Sequence, residues 1–159
     1  MTISEAKQFL SLSENDSLED LYEEKVFEWK NFFVNRFPVS SLFRSKIRQL
    51  EKLEAAYQAL GGVASGPKDV SIALEFSSNF KEAFHQFSER RVVLKSQLFQ
   101  SESASAIASV AQALIDLTES YAQVWNDVEL DTAGVVVSKE PDPMDLLEAI
   151  VDAEKQGVH

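Results

Sequence analysis

Residues 107–128 read IASVAQALIDLTESYAQVWNDV. Ile107, Val110, Leu114, Leu117, Tyr121, Val124 and Val128 recur at alternating spacings of three and four, with no Gly or Pro among them. That pattern is the a/d seam of a helix buried along one side. Upstream, Ile72, Phe76, Phe80, Phe84, Phe87, Leu94 and Leu98 mark a second helical run, which the polar Gln100-Ser101-Glu102-Ser103 separates from the seam. Two long helices joined by a short polar turn predict an antiparallel hairpin over residues 68–128. The Ile107–Val128 seam can close within the chain or across a homodimer, and the sequence leaves both open.

Working outward, Gly61, Gly62, Gly66 and Pro67 cluster just before this hairpin. They predict a linker that sets off residues 1–61 from residues 62–128. Only Pro38 interrupts the first sixty residues. A short helix is expected over about residues 4–10, then a turn at Ser13-Glu14-Asn15-Asp16-Ser17. Ser17, with Asp20 three positions on, has the pattern of an N-cap. The helix it opens is expected from Leu18 to about Asn35 and carries Leu18, Leu21, Tyr22, Val26, Phe27, Trp29, Phe32 and Phe33. This apolar arc is wider than one packing stripe requires. A loop at residues 36–41 leads to a third helix, from about Leu42 to Leu60. Phe43, Ile47, Leu50, Leu53, Ala56, Tyr57 and Leu60 face one side of it, and Gly61 ends it at C′.

Residues 129–159 form a third part, an acidic linker and a short amphipathic helix. Asp142 caps, Pro143 takes N1, and Met144, Leu147, Ile150 and Val151 share a face. The charge is uneven. Residues 1–61 hold 8 basic and 10 acidic side chains, a net of −2; residues 62–128 hold 5 and 8, a net of −3; residues 129–159 hold 2 and 8, a net of −6.

Composition narrows the function. The chain has 159 residues, 45% hydrophobic and 26% charged, the balance of a globular protein with a real core. A net charge of −11 argues against polyanion binding, so no nucleic-acid partner is expected. With no Cys, thiolate chemistry and Cys-based metal sites are excluded; two His leave little for a His-rich one. No apolar run approaches the ~20 residues of a membrane span, and no secretory leader precedes the first helix, so a cytoplasmic protein without a membrane partner is expected.

Three further patterns have bland readings. Gly61 to Lys68 nearly spells a phosphate loop, but Pro67 removes an N–H and Asp69 stands where the hydroxyl is needed, so a linker is expected. Glu82-Ala83-Phe84-His85 has the Glu-x-x-His spacing of di-iron bundles, but no second copy accompanies it. The cations Arg44, Lys46, Arg48 and Lys52 are expected to meet acidic partners, including the Glu-rich second helix. No catalytic residue, cofactor or metal is predicted.

Leu10-Ser11-Leu12-Ser13, Ser17 to Leu21, and Leu53-Glu54-Ala55-Ala56-Tyr57-Gln58-Ala59-Leu60 together resemble the J-domain family over about residues 4–61. The resemblance implies a three-helix scaffold. It also implies, in that family, stimulation of a heat-shock ATPase chaperone through a His-Pro-Asp tripeptide after the second helix. Ungapped, that tripeptide falls on Phe33-Val34-Asn35, and Pro38 has no His before it and no Asp after it. The family's second helix is basic, whereas this one carries Glu19, Asp20, Glu23, Glu24 and Glu28. No functional residue carries over, so the resemblance concerns the scaffold.

The sequence therefore predicts an all-α protein: a J-domain-like three-helix unit, a long antiparallel hairpin and an acidic tail helix. The expected work is non-enzymatic, as an adaptor, assembly factor or accessory chaperone that binds another protein through apolar helix faces. The residues expected to meet that partner are Trp29, Phe32, Phe33 and Phe37 at the end of the second helix, and Met144, Leu147, Ile150 and Val151 in the tail. A co-chaperone that stimulates a heat-shock ATPase and a helical-bundle metal protein or enzyme are the alternatives.

Overall fold

The computed structural model describes residues 1–131, with side chains as far as Val124. Five helices and no strand occur among the described residues: α1 (Ile3–Leu10), α2 (Leu18–Val34), α3 (Ser40–Ala59), α4 (Phe80–Gln100) and α5 (Ala104–Asp131). The fold is all-α. None of these helices is long and apolar enough to cross a membrane. The tail face of Met144, Leu147, Ile150 and Val151 lies outside the described residues, as does the whole of 132–159.

Local chemistry sets most of the ends. Thr2 Oγ1 accepts from the Glu5 amide at 3.1 Å and opens α1. The turn before α2 is tied by Asp16, whose Oδ2 accepts from the Ser13 amide at 2.9 Å and the Ser13 hydroxyl at 2.8 Å. Those bonds hold the Asp16 carboxyl below its ordinary range. Ser17 caps α2 by accepting from the Asp20 amide, as its sequence pattern predicts. At the end of α3, the Gly61 amide donates to Gln58 O and the Gly62 amide to Tyr57 O. This is the Schellman pattern, with Gly61 in the left-handed region at φ +87°. Gly62 is needed for a second reason: a Cβ there would collide with the Tyr57 ring.

Two boundaries differ from expectation. α3 begins at Ser40 rather than Leu42, because Val39, immediately after Pro38, already has the extended backbone of an N-cap residue. More substantially, residues 68–79 are not the first part of a helix. They run as a strap without helix or strand, and α4 starts only at Phe80. Val70, Ile72 and Phe76 alternate with exposed residues along it and pack on the core. Spacings of two and four fit either a strand-like or a helical period here. The caps decide: Asn79 Oδ1 accepts from the Glu82 amide at 3.1 Å, and Ser77 donates its hydroxyl to Glu82 Oε2 at 3.0 Å, which starts the helix at this point. The strap is pinned at both ends. The Lys68 amide donates to Ser109 Oγ at 3.2 Å, and Arg90 donates to Glu75 O at 2.6 Å while lying over the Phe76 ring.

The residues of both sequence-delimited units meet in a single hydrophobic core. α5 is its spine, packed against α3 on one side and α4 on another. Arg44 of α3 pairs with Glu119 of α5 at 2.6 Å while Glu54 of α3 meets Ser105 of α5, so the two helices run antiparallel. Ile107, Val110, Leu114, Leu117 and Tyr121 are buried within the chain. That part of the seam closes in cis and leaves no free a/d edge for a homodimer; Val124 is half-buried, and the Val128 side chain is outside the described set. The core is rich in ring contacts. Phe33 meets Phe43 edge-on at 4.7 Å, and Phe87 stacks on Tyr121 at 4.5 Å. Phe80 and Phe84, counted with the core stripe in the sequence, are instead partly exposed on α4.

Candidate functional site

The aromatic cluster at the end of α2 divides into an inside and an outside. Phe33 and Phe37 are buried, the first against Phe43 and the second beneath the Arg91 guanidinium, whose carbon lies 5.4 Å from its ring centroid. They offer a partner no surface, so the docking role expected of these two does not fit their position. The reason is helical geometry. Phe33 shares the inward face of α2 with Tyr22 and Val26, whereas Phe32 lies one residue, or about 100°, away.

Trp29 and Phe32 are half-buried and form the rim of the same cluster. Their rings meet edge-on at 5.5 Å, and Phe32 rests in turn on Phe33 at 5.2 Å. Two cations lie against them. Lys46 of α3 places its Nζ 6.0 Å from the Trp29 centroid and 5.8 Å from that of Phe32. Arg36, just past α2, holds its guanidinium carbon 4.6 Å from the Phe32 centroid. The result is an aromatic surface whose inner side is fixed by the core and whose outer edge carries positive charge. Trp and Arg are the residue types that dominate binding energy at protein interfaces. Arg36 can grip a carboxylate with a planar pair of donors, and Lys46 can meet another as a point charge.

Arg44 pairs with Glu119 on α5, not with the acidic face of α2. Lys30 of α2 donates to the Phe99 carbonyl at 3.1 Å, which ties α2 to the end of α4.

One buried polar cluster joins three helices. Glu54 is 6% exposed. Its Oε2 accepts from the Ser105 amide at 2.7 Å and the Ser105 hydroxyl at 2.9 Å, and Tyr22 donates its hydroxyl to the same carboxylate at 3.2 Å. The Ala104 amide donates to the Tyr22 oxygen at 2.9 Å. Tyr22 also stacks on Tyr57 at 3.9 Å. Burial first, and the neighbouring Glu54 charge after it, push the Tyr22 phenol well above its ordinary range; the Ala104 amide opposes them in part. The phenol is therefore a neutral donor. Every group in the cluster is occupied by another: the carboxylate satisfies the Ser105 amide and the Tyr22 oxygen the Ala104 amide at the start of α5, where the helix dipole favours a negative charge. This is a cross-brace.

The Glu-x-x-His pattern resolves into separate uses. Glu82 takes the Ser77 hydroxyl at the start of α4, and His85 Nε2 contacts Glu89 Oε1 at 2.9 Å on an exposed face. Among the described residues no group of three His, Asp or Glu gathers as metal ligands. The glycine-rich stretch after α3 has no regular secondary structure. With the turn between α4 and α5 it forms an open depression of about 320 Å³, lined by residues that include Pro67, Lys68, Gln100 and Glu102. Its two charged walls have opposite sign, which gives an anion no net attraction.

A further surface was not singled out by the sequence. Phe84, Val92 and Phe99 are exposed on α4, and Phe27 is 64% exposed on α2. The signal was present: residues 84, 92 and 99 are separated by eight and seven positions, which keeps them on one face. It was hidden because the neighbouring stripe through Phe87, Leu94 and Leu98 is also apolar, and periodicity does not rank two adjacent stripes.

No family model, no curated protein and no solved structure matches this chain.

Proposed function

We propose that this protein is a non-enzymatic, cytoplasmic protein-interaction module, an adaptor, assembly factor or accessory chaperone, in which residues 4–61 form a degenerate J-domain-like scaffold. The observation that carries the reading is the Trp29–Phe32 rim with Arg36 and Lys46 against it. Half-buried rings fixed from behind lose little freedom on binding, so a partner gains contact area at small entropic cost. The two cations select for carboxylates. The partner is therefore a protein segment that pairs an apolar or aromatic side chain with Asp or Glu.

Capture from native lysate tests this, comparing the full chain with a Trp29→Ser, Phe32→Ser double variant and an Arg36→Glu, Lys46→Glu variant. Both variants are expected to lose the protein that the wild type retains, with helix content unchanged. Retention by folded variants overturns the assignment. Stimulated ATP hydrolysis by a heat-shock chaperone would place the protein among active co-chaperones instead.

A further inference from the structure

Helix α2 presents one more aromatic side chain, on the side away from the Trp29–Phe32 rim. Phe27 is 64% exposed. It lies two residues from Trp29 and five from Phe32, which is about 160° and about 140° around the helix. A single exposed ring is ordinary by itself. Its setting is what counts. Glu23 and Glu24, one turn before Phe27, and Glu28, next to it, are all exposed on the same helix. The rim selects an apolar or aromatic side chain that comes with carboxylates, because Arg36 and Lys46 edge its rings. The outer side of α2 supplies that combination.

We propose, resting on the docking role of the rim, that its occupant is the Phe27 face of a second copy of this chain. Phe27 of one copy lies against Trp29 and Phe32 of the next, and the carboxylates around it meet Arg36 and Lys46. Charge decides whether two acidic molecules can associate in this way. Each copy carries a net −11. At about 0.15 M salt, exposed charges more than about 8 Å apart are largely screened. Facing groups at contact distance are screened least, so the local match of cations to carboxylates outweighs the distant repulsion.

The two surfaces lie on opposite sides of one helix, so both cannot face the same neighbour. The contact is therefore heterologous: every copy added leaves one rim and one Phe27 face open. Association runs head to tail and does not stop at a two-fold dimer. It leaves the α5 seam untouched, since Ile107, Val110, Leu114, Leu117 and Tyr121 are buried within the chain.

Sedimentation of the full chain tests this. Its weight-average mass is expected to rise at least about twofold between about 10 μM and about 500 μM, the range in which a contact with a Kd of about 0.1 mM fills. Two variants separate the surfaces. Arg36→Glu, Lys46→Glu spoils the rim, and Phe27→Ser, Glu24→Gln, both at exposed positions, spoils the opposite face. Each is expected to stay monomeric over that range with helix content unchanged. Mixed one to one, they are expected to form pairs and go no further, because one brings an intact face and the other an intact rim. A wild type that stays monomeric overturns the proposal. So does a mixture that fails to pair, or a folded Phe27→Ser, Glu24→Gln variant that associates as the wild type does. Capture of a different protein through the rim by a chain that stays monomeric would leave the rim's docking role standing and overturn only the second copy as its occupant.

Discussion

Glu54 on α3 accepts a hydrogen bond at 2.7 Å from the amide of Ser105 in the first turn of α5, fifty-one positions along the chain. Ser103, the adjacent cap, accepts from Ala106 at 3.1 Å. The start of α5 is thus satisfied by its own cap and by a carboxylate from another helix. That is why the longest of the described helices begins with its first turn buried.

Removing the carboxylate should therefore cost more than a surface substitution. Glu54→Ala strands the Ser105 amide and the Tyr22 hydroxyl in the core, and is expected to lower unfolding free energy by about 3 kcal/mol. Glu54→Gln keeps an acceptor and loses the charge at the helix start, with an expected loss of about 1 kcal/mol. Urea unfolding of the three proteins gives the order. A Glu54→Gln protein as stable as the wild type would show that the charge contributes nothing.

The same cluster gives a pH dependence. The folded protein holds the Tyr22 proton more tightly than the unfolded chain, whose phenol titrates near its ordinary value of 10.0. The stability from this group is complete below that value and is lost as pH rises above it toward the folded one. The urea midpoint of the wild type is expected to fall more steeply above about pH 10 than that of Tyr22→Phe, which lacks the titrating group. Parallel curves would remove Tyr22 from the account.

Gly61 and Gly62 should fail for different reasons. Gly61→Ala forces a Cβ into a left-handed conformation, with open space around it, and is expected to cost about 1 kcal/mol. Gly62→Ala drives a methyl group into the Tyr57 ring and disturbs its stack on Tyr22. The larger fall in melting temperature is expected at Gly62, with a change in tyrosine near-ultraviolet dichroism that Gly61→Ala lacks.

Inside and outside positions on α2 should separate stability from binding. Phe33→Ala opens a cavity among Trp29, Phe32 and Phe43, at an expected cost of about 3–5 kcal/mol. Phe32→Ser, at the rim, is expected to cost less than half of that and to weaken partner capture. Denaturant titration and capture on the same two variants check this together.

The amino-acid order by itself determined the helical class, the cap at Ser17, the stop at Gly61 and the a/d seam of α5. These follow from local periodicity and from side chains bonding within three or four residues, so no distant contact is needed to read them. Tertiary structure decided the rest. Residues 68–79 have spacings that fit strap or helix, and the capping set at Ser77 and Asn79 together with the surface of α5 selects the strap. Trp29, Phe32, Phe33 and Phe37 are alike in polarity, so only the placement of α3 and α4 sorts rim from core. Lys46 and Arg36 join the rim from outside α2, which hydrophobic patterning does not register. Glu54 reads as one more surface carboxylate until α5 arrives with its unsatisfied amides, because the free energy that buries a charge lies in a partner the local sequence does not contain.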